Sequence, residues 1–172
     1  MKRNLCFIIG MLLLFFASFL WYERHTPRRL TFAYTAQAKQ TTHVEPPIGI
    51  SIPSLGITLP IFPAIIAGKT WPTTDKGVSY LVSSPLPGGK GNSILYGHNW
   101  PNLLGKLHEI KIGDKIMVMG KNNTVKNFSV KYIAEVDPSN ASILAPSQDN
   151  RITLYTCTGF LDSKRFVVVA TL

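Results

Sequence analysis

Short runs of alternating apolar and polar residues dominate the chain after residue 47. In such a run every second side chain faces the same way, which is the pattern of a half-buried β-strand. Glycine and proline residues separate the runs, as turns between strands require. The runs predict strands at 48–53, 57–62, 78–82, 92–97, 115–119, 124–136, 151–157 and 165–171. Eight strands with only short helical pieces indicate a mainly β fold, a closed or nearly closed β-barrel.

One segment of this part departs from the strand pattern. Between Pro101 and Ile110, apolar residues recur at helical spacing, and a proline suits the first turn of a helix. We therefore predict a short helix over 101–110, with its leucines on the buried side.

The first 25 residues have a different character. The run from Leu5 to Tyr22 is almost entirely apolar, and its length is close to that of a transmembrane helix. A small-residue site at 36–38 is too far downstream for a signal peptidase, so an uncleaved anchor is favoured over a cleaved signal. The predicted organisation is a membrane anchor in 1–25 with a span at about 5–22, a polar tether in 26–47, and one folded domain in 48–172.

The charged residues exclude some classes of function. The net charge of +9 comes from 18 Lys and Arg against nine Asp and Glu. The lysines of the folded domain are scattered singly, without a basic patch interleaved with aromatic residues, which argues against nucleic-acid binding. Attraction to an anionic membrane or envelope polymer is the favoured use of the charge. The acidic residues are also scattered, so no metal site is predicted.

Cys157 is the only cysteine outside the apolar amino-terminal run. It ends a strand run in which Ile152 and Leu154 can face a core while the cysteine faces the other way. The next run begins with Arg165, so a hairpin would bring a thiol beside a guanidinium. His98, which follows a strand and opens a loop, is the best placed of the four histidines to join them. These three residue types suit nucleophilic acyl transfer.

These elements resemble the sortases, the membrane-anchored cysteine transpeptidases of bacterial surfaces. The nucleophile of that family ends a Thr-Leu-x-Thr-Cys motif, and Thr153 to Cys157 matches every fixed position. The family's histidine follows a strand in a Gly-His pair, as His98 does, and its arginine opens the strand after the nucleophile, as Arg165 does. The likeness covers about 48–172 and implies an eight-stranded sortase-like barrel. The sortase class stays open.

The resemblance also implies a function. His98, Cys157 and Arg165 would cleave a Leu-Pro-x-Thr-Gly-type sorting signal of an exported protein. A Cys157 thioester would then pass the acyl group to an amine of a cell-wall precursor or a pilin lysine. The enzyme would sit in the cell membrane through its single-pass anchor, with the catalytic domain outside the cytoplasm. No cofactor is expected, although some sortases use calcium and the sequence leaves that open.

Four further residues are expected to contact the substrate. Thr156 and Tyr155 precede the nucleophile, and Ile143 and Leu144 offer apolar surface in the loop at 137–150, which we expect to form a wall of the peptide groove. Two alternatives stay open at this point. One is an envelope cysteine peptidase that only hydrolyses its substrate, and the other is a non-catalytic membrane-tethered β-domain that binds wall components.

Overall fold

The barrel predicted from the alternating runs is present in the computed structural model, which describes residues 2–24, 30–32, 46–66, 71–121 and 123–172. Within these ranges eight strands close in the order β1-β2-β3-β4-β7-β8-β6-β5. Their ends lie within two residues of the predicted ones. The strands are β1 (Pro47–Ile52), β2 (Ile57–Ala64), β3 (Val78–Leu81), β4 (Gly91–Tyr96), β5 (Lys115–Gly120), β6 (Val125–Val136), β7 (Asn150–Thr158) and β8 (Lys164–Thr171).

Strand β7 lies between β4 and β8, and its two neighbours run in opposite directions relative to it. It pairs parallel with β4 and antiparallel with β8. A second parallel pair joins β2 and β3. The carboxyl ends of β4 and β7 therefore meet the start of β8 at one edge of the barrel.

The strands bury two separate groups of apolar side chains. We call the first the inner core, because strands all around the barrel contribute to it. Its members include Ile50, Ile116, Phe128, Leu154 and Val168. We call the second the outer-face cluster, because it lies on the opposite faces of β4, β7 and β8. Its members are Leu30, Phe32, Ala64, Trp71, Leu81, Ile94, Tyr96, Leu144, Tyr155, Cys157, Val167 and Val169.

The helix predicted over 101–110 is wrong. This segment forms turns followed by a single 3₁₀ turn, Leu107–Glu109. The carbonyl of Trp100 accepts hydrogen bonds from the amides of both Leu103 and Gly105, each at 2.9 Å, which closes tight turns in place of a helix. A Cβ on Gly105 would come within 2.7 Å of that carbonyl oxygen, so only glycine fits here. The leucines are nevertheless buried, as the apolar spacing predicted.

Helix α1 runs over Lys2–Arg24. Across the described parts of the chain, no helix has both the length and the apolar character that crossing a bilayer requires. The single-pass anchor expected at 5–22 is thus not supported by the structure.

Candidate active site

Strand register brings the three predicted catalytic residues into one row. Cys157 on β7 is paired directly with Arg165 on β8. On the other side of β7, Tyr96 is paired with Tyr155, and the amide of Gly97 donates to the carbonyl of Tyr155 at 3.2 Å. His98 lies two residues beyond Tyr96 and Cys157 lies two residues beyond Tyr155, so the register of these parallel segments brings His98 level with Cys157. The cysteine therefore lies between the histidine and the arginine.

The backbone that carries His98 is fixed from two directions. The Thr156 hydroxyl donates to the carbonyl of Gly97 at 2.8 Å, and the amide of Leu104 donates to the carbonyl of His98 at 3.1 Å. The imidazole itself is stacked on the Trp100 ring, with 4.4 Å between ring centroids and 10° between planes. This stack limits rotation of the imidazole, and the face of an indole also attracts a cation.

Hydrogen bonds hold the guanidinium of Arg165 in one orientation. Nη1 donates to the carbonyls of Asp162 and Lys164, each at 3.0 Å, and Nη2 donates to the carbonyl of Thr31 at 3.1 Å. The remaining nitrogen, Nε, is buried and has no acceptor among the described residues. A buried donor without a partner is costly, so this N–H is available to a further hydrogen-bond acceptor.

The site is covered by a short piece of the predicted tether, residues 30–32. Phe32 lies edge-on against Tyr155 at 4.9 Å between centroids, and the Arg165 guanidinium lies 5.9 Å from the centre of the same Phe32 ring. The Tyr155 hydroxyl donates to the carbonyl of Leu30 at 3.1 Å. Cys157, Arg165 and His98 are accordingly only 4%, 3% and 8% exposed. The tether boundaries stay a prediction, but these three residues pack on the domain.

Aromatic rings form the floor beneath this cover. Tyr96 and Tyr155 are stacked with 5.4 Å between centroids, and Trp71 meets Tyr96 edge-on at 5.5 Å. Burial raises the pKa of the Tyr155 hydroxyl, with the charges of Tyr96 and Cys157 adding to the effect, and burial also raises the pKa of Tyr96. Both phenols are therefore neutral at physiological pH, and their role is packing and hydrogen bonding.

The predicted groove wall is held in place by a buried amide, Asn92. Its Nδ2 donates to the carbonyls of Ile143 and Ala145, each at 3.1 Å, and its Oδ1 accepts from the Thr153 hydroxyl at 2.7 Å. These bonds fasten a 3₁₀ turn, Ala141–Leu144, to the outer face of the barrel. Leu144 becomes buried there and Ile143 stays half-buried.

Comparison with known proteins decides the family. Residues 50–172 match the Sortase domain family. The chain belongs to the sortase family. Sortases are cysteine transpeptidases and are generally membrane-associated.

Individual sortases are similar over the barrel. Sortase A of Listeria monocytogenes is 30% identical over 132 residues, which are 72% of this chain and 54% of that protein. The solved structure of sortase A from Corynebacterium diphtheriae is 32% identical with a TM-score of 0.64, covering 76% of this chain and 62% of that one. Sortase C1 from Streptococcus agalactiae is 28% identical with a TM-score of 0.62, covering 72% and 65%. The chain thus spans little more than half of the curated relative.

The predicted catalytic residues lie together and are buried, unlike two other basic residues of the domain. His98, Cys157 and Arg165 are brought together, whereas Lys164 and His108 are exposed. The His108 Nε2 atom lies 3.9 Å from Oε1 of Glu109, and its Nδ1 atom lies 2.7 Å from the carbonyl oxygen of Gly105. In the described ranges, no three His, Cys, Asp or Glu side chains lie close enough together to hold a metal ion.

The residues predicted to contact the substrate are less accessible than the prediction implied. Thr156 alternates with Cys157 along β7, and its hydroxyl is occupied by Gly97. Tyr155 lies beneath Phe32 and is fully buried, so its predicted substrate contact stays a prediction. Sequence reasoning missed Asn92 as the support of the groove wall. The available signal was an amide inside a predicted buried strand, two residues before Ile94, because a buried amide needs hydrogen-bond partners.

Proposed function

We propose that this sortase is a cysteine transpeptidase that cleaves a Leu-Pro-x-Thr-Gly-type sorting signal and transfers the acyl group to an amine. The observation that carries the proposal is the row His98, Cys157, Arg165 across three neighbouring strand ends. A nucleophile between a proton-transfer group and a fixed multiple donor is what acyl transfer needs. The substrate signal and the acceptor are those of the family.

In the first half-reaction the Cys157 sulfur attacks the carbonyl carbon of the substrate threonine. A carbon–sulfur bond forms, and the carbonyl oxygen takes negative charge in the tetrahedral intermediate. The intermediate collapses by breaking the Thr–Gly bond, and His98 gives a proton to the departing amine. The product is a thioester between Cys157 and the amino-terminal part of the substrate.

In the second half-reaction an incoming amine replaces the thiolate. His98 takes a proton from this amine while its nitrogen attacks the thioester carbonyl. The carbon–sulfur bond then breaks, which restores the Cys157 thiolate and leaves a new amide bond. The acceptor is an amine of a cell-wall precursor or a lysine of a pilin.

Arg165 stabilises the oxyanion in both half-reactions. Its Nη2 already binds a peptide carbonyl, that of Thr31, so the geometry of the guanidinium suits such an acceptor. Its Nε offers a second buried N–H. A substrate carbonyl that took these donors would displace residues 30–32 and uncover the aromatic floor.

The groove between this floor and the turn Ala141–Leu144 would receive the Leu-Pro portion of the signal. Ile143 lies on that turn and is half-buried, which leaves apolar surface for a peptide. Because sorting signals belong to exported proteins, the domain would act outside the cytoplasm. Protease added to wall-free cells should then digest the domain, and complete protection would contradict this location.

The decisive experiment incubates the purified chain with a Leu-Pro-x-Thr-Gly peptide panel, with and without an amine such as triglycine. Mass spectrometry should detect a thioester on Cys157 and, with the amine present, a ligated peptide. Cleavage that never yields a ligated product would favour the hydrolytic alternative. Peptide binding without any thioester would favour the non-catalytic domain.

A further inference from the structure

Asp162 bonds to both of the segments that carry His98 and Arg165. Its backbone carbonyl accepts from Arg165 Nη1 at 3.0 Å, and its carboxylate Oδ1 accepts from Asn99 Nδ2 at 3.2 Å. Asn99 is the residue that follows His98 in the chain. One residue of the β7–β8 loop therefore ties together the two sides of Cys157.

The loop backbone adopts an unfavourable conformation at this point. Leu161 and Asp162 have φ angles of 51° and 59°, so two successive residues with a Cβ lie in the left-handed region. This region is disfavoured for all residues except glycine, although aspartate tolerates it better than leucine does. Such a conformation persists only where the surroundings hold it.

Apolar packing does little to hold this loop. Phe160 is 84% exposed, and Leu161 is also exposed. The hydrogen bond from Asn99 to the Asp162 carboxylate is a direct contact between this loop and the segment of His98.

We propose that Asp162 is a positioning residue for transpeptidation and that Asn99 is its partner. The bridge holds the His98 segment at a fixed separation from Arg165, so that imidazole and guanidinium stay on opposite sides of the Cys157 sulfur. This proposal rests on the proposed function. Asp162 acts as a hydrogen-bond acceptor and not as a proton-transfer group, so an amide oxygen in its place would serve equally well.

Three variants separate the parts of this bridge. Asp162→Asn keeps an acceptor oxygen and tolerates the left-handed backbone, but removes the charge. Asp162→Gly keeps the backbone conformation and the carbonyl that binds Arg165, but removes the side chain. Asn99→Ala removes the same bond from the other side. Asp75→Gly and Asn127→Ala are matched controls at exposed positions outside the site.

Steady-state kinetics with a sorting peptide provides the first measurement. Asp162→Gly and Asn99→Ala should each lower kcat about 10- to 100-fold with KM within about threefold, because small displacements of catalytic groups have effects of that size. Asp162→Asn and both controls should stay within about threefold of the unmodified chain in kcat. The double variant Asp162→Gly/Asn99→Ala should be no worse than the poorer single variant, since both remove one bond.

Alkylation of Cys157 by iodoacetamide provides a second measurement that needs no peptide turnover. The reagent reacts with the thiolate, and a displaced His98 segment changes the thiolate fraction. We expect the alkylation rate to fall several-fold in Asp162→Gly and Asn99→Ala and to be unchanged in Asp162→Asn.

Unchanged kcat and alkylation in both Asp162→Gly and Asn99→Ala would overturn the proposal. So would equal damage by Asp162→Asn and Asp162→Gly, since that outcome assigns the effect to the charge. If Asp162→Gly does not fold, Asn99→Ala carries the test alone. An unmodified chain that turns over no peptide refutes the proposed function, while the alkylation rates still decide for or against the bridge.

Discussion

The two faces of strands β4, β7 and β8 differ in what covers them. On the inner face, the other strands of the barrel supply the covering side chains, so Leu154 and Val168 are enclosed by the sheet itself. On the outer face, the cover comes from segments outside these strands: residues 30–32, Trp71 and the turn that carries Leu144. A closed sheet cannot open one face without losing its hydrogen bonds, whereas separate segments can leave. The outer face is therefore where a peptide can be admitted.

The two faces also differ in the polar and reactive side chains that they carry. The inner core is largely apolar, and its Tyr80 hydroxyl donates to the Ser84 carbonyl at 2.8 Å. Two small buried polar residues, Ser93 and Thr156, lie on the same face of β4 and β7. Cys157 lies on the outer face, next to Arg165. We therefore expect substitutions on the inner face to change stability and substitutions on the outer face to change chemistry. Five variants test that expectation, beginning with the largest effect.

Replacing the nucleophile should separate chemistry from stability most completely. Cys157→Ala should reduce turnover and thioester formation below detection, because no other cysteine lies in the domain. The free energy of unfolding should change by about 1 kcal/mol, typical of a small truncation. Peptide cleavage and urea unfolding measure the two effects, with Cys6→Ala as the control. Full cleavage by folded Cys157→Ala would show that Cys157 is not the nucleophile.

Loss of the proton-transfer group should have the next largest effect. His98→Ala should lower kcat for both cleavage and ligation by about 10²–10⁴-fold, the usual size of general acid–base catalysis. The control is His108→Ala, which alters an exposed histidine outside the site and should be nearly normal. If His108→Ala were as damaging as His98→Ala, the histidine assignment would be wrong.

Arg165→Lys keeps the positive charge but loses the planar set of donors. Because lysine cannot bind three carbonyls and also keep a spare N–H in this geometry, the rate should fall by roughly 10²–10³-fold. Ligation rates at saturating peptide measure the loss, and Lys164→Ala, at an exposed position, serves as the control. Full activity of Arg165→Lys would show that only the positive charge of Arg165 matters and not its planar set of donors.

Truncation of an inner-face side chain should lower stability strongly and leave kcat almost unchanged, which is the opposite of the active-site variants. Phe128 is fully buried in the inner core, so Phe128→Ala should lower the free energy of unfolding by about 3–5 kcal/mol. The kcat of the fraction that stays folded should be close to that of the unmodified chain. Urea unfolding and active-site titration measure the two quantities. A large loss of kcat per folded molecule would break the division between the two faces.

The smallest expected effect concerns the cover of the outer face. Phe32→Ala removes the ring that lies against Tyr155 and Arg165, so iodoacetamide should alkylate Cys157 roughly tenfold faster. Phe160→Ala, which truncates an exposed ring of the β7–β8 loop, is the control. An unchanged alkylation rate in Phe32→Ala would mean that residues 30–32 do not limit access to the thiol.

The amino-acid sequence by itself determined the strands, because alternation of apolar and polar residues is a local property of a strand between two environments. It also predicted that Cys157 faces away from Ile152 and Leu154, and that a hairpin brings it to Arg165. The motif around Cys157 identified the family. The same spacing argument failed for 101–110, where apolar residues recur at helical intervals but backbone turns at Trp100 and Gly105 prevail.

Only the tertiary structure decided what lies on the outer face. The bond between Tyr155 and Leu30 joins residues 125 positions apart, and that between Asn99 and Asp162 joins residues 63 apart. Neither pair leaves a periodic signal in the sequence, because such contacts depend on where whole strands pack. The position of His98, on the side of Cys157 opposite to Arg165, has the same origin. The residue types were visible in the chain, but their order across β4, β7 and β8 depends on the strand order of the closed barrel.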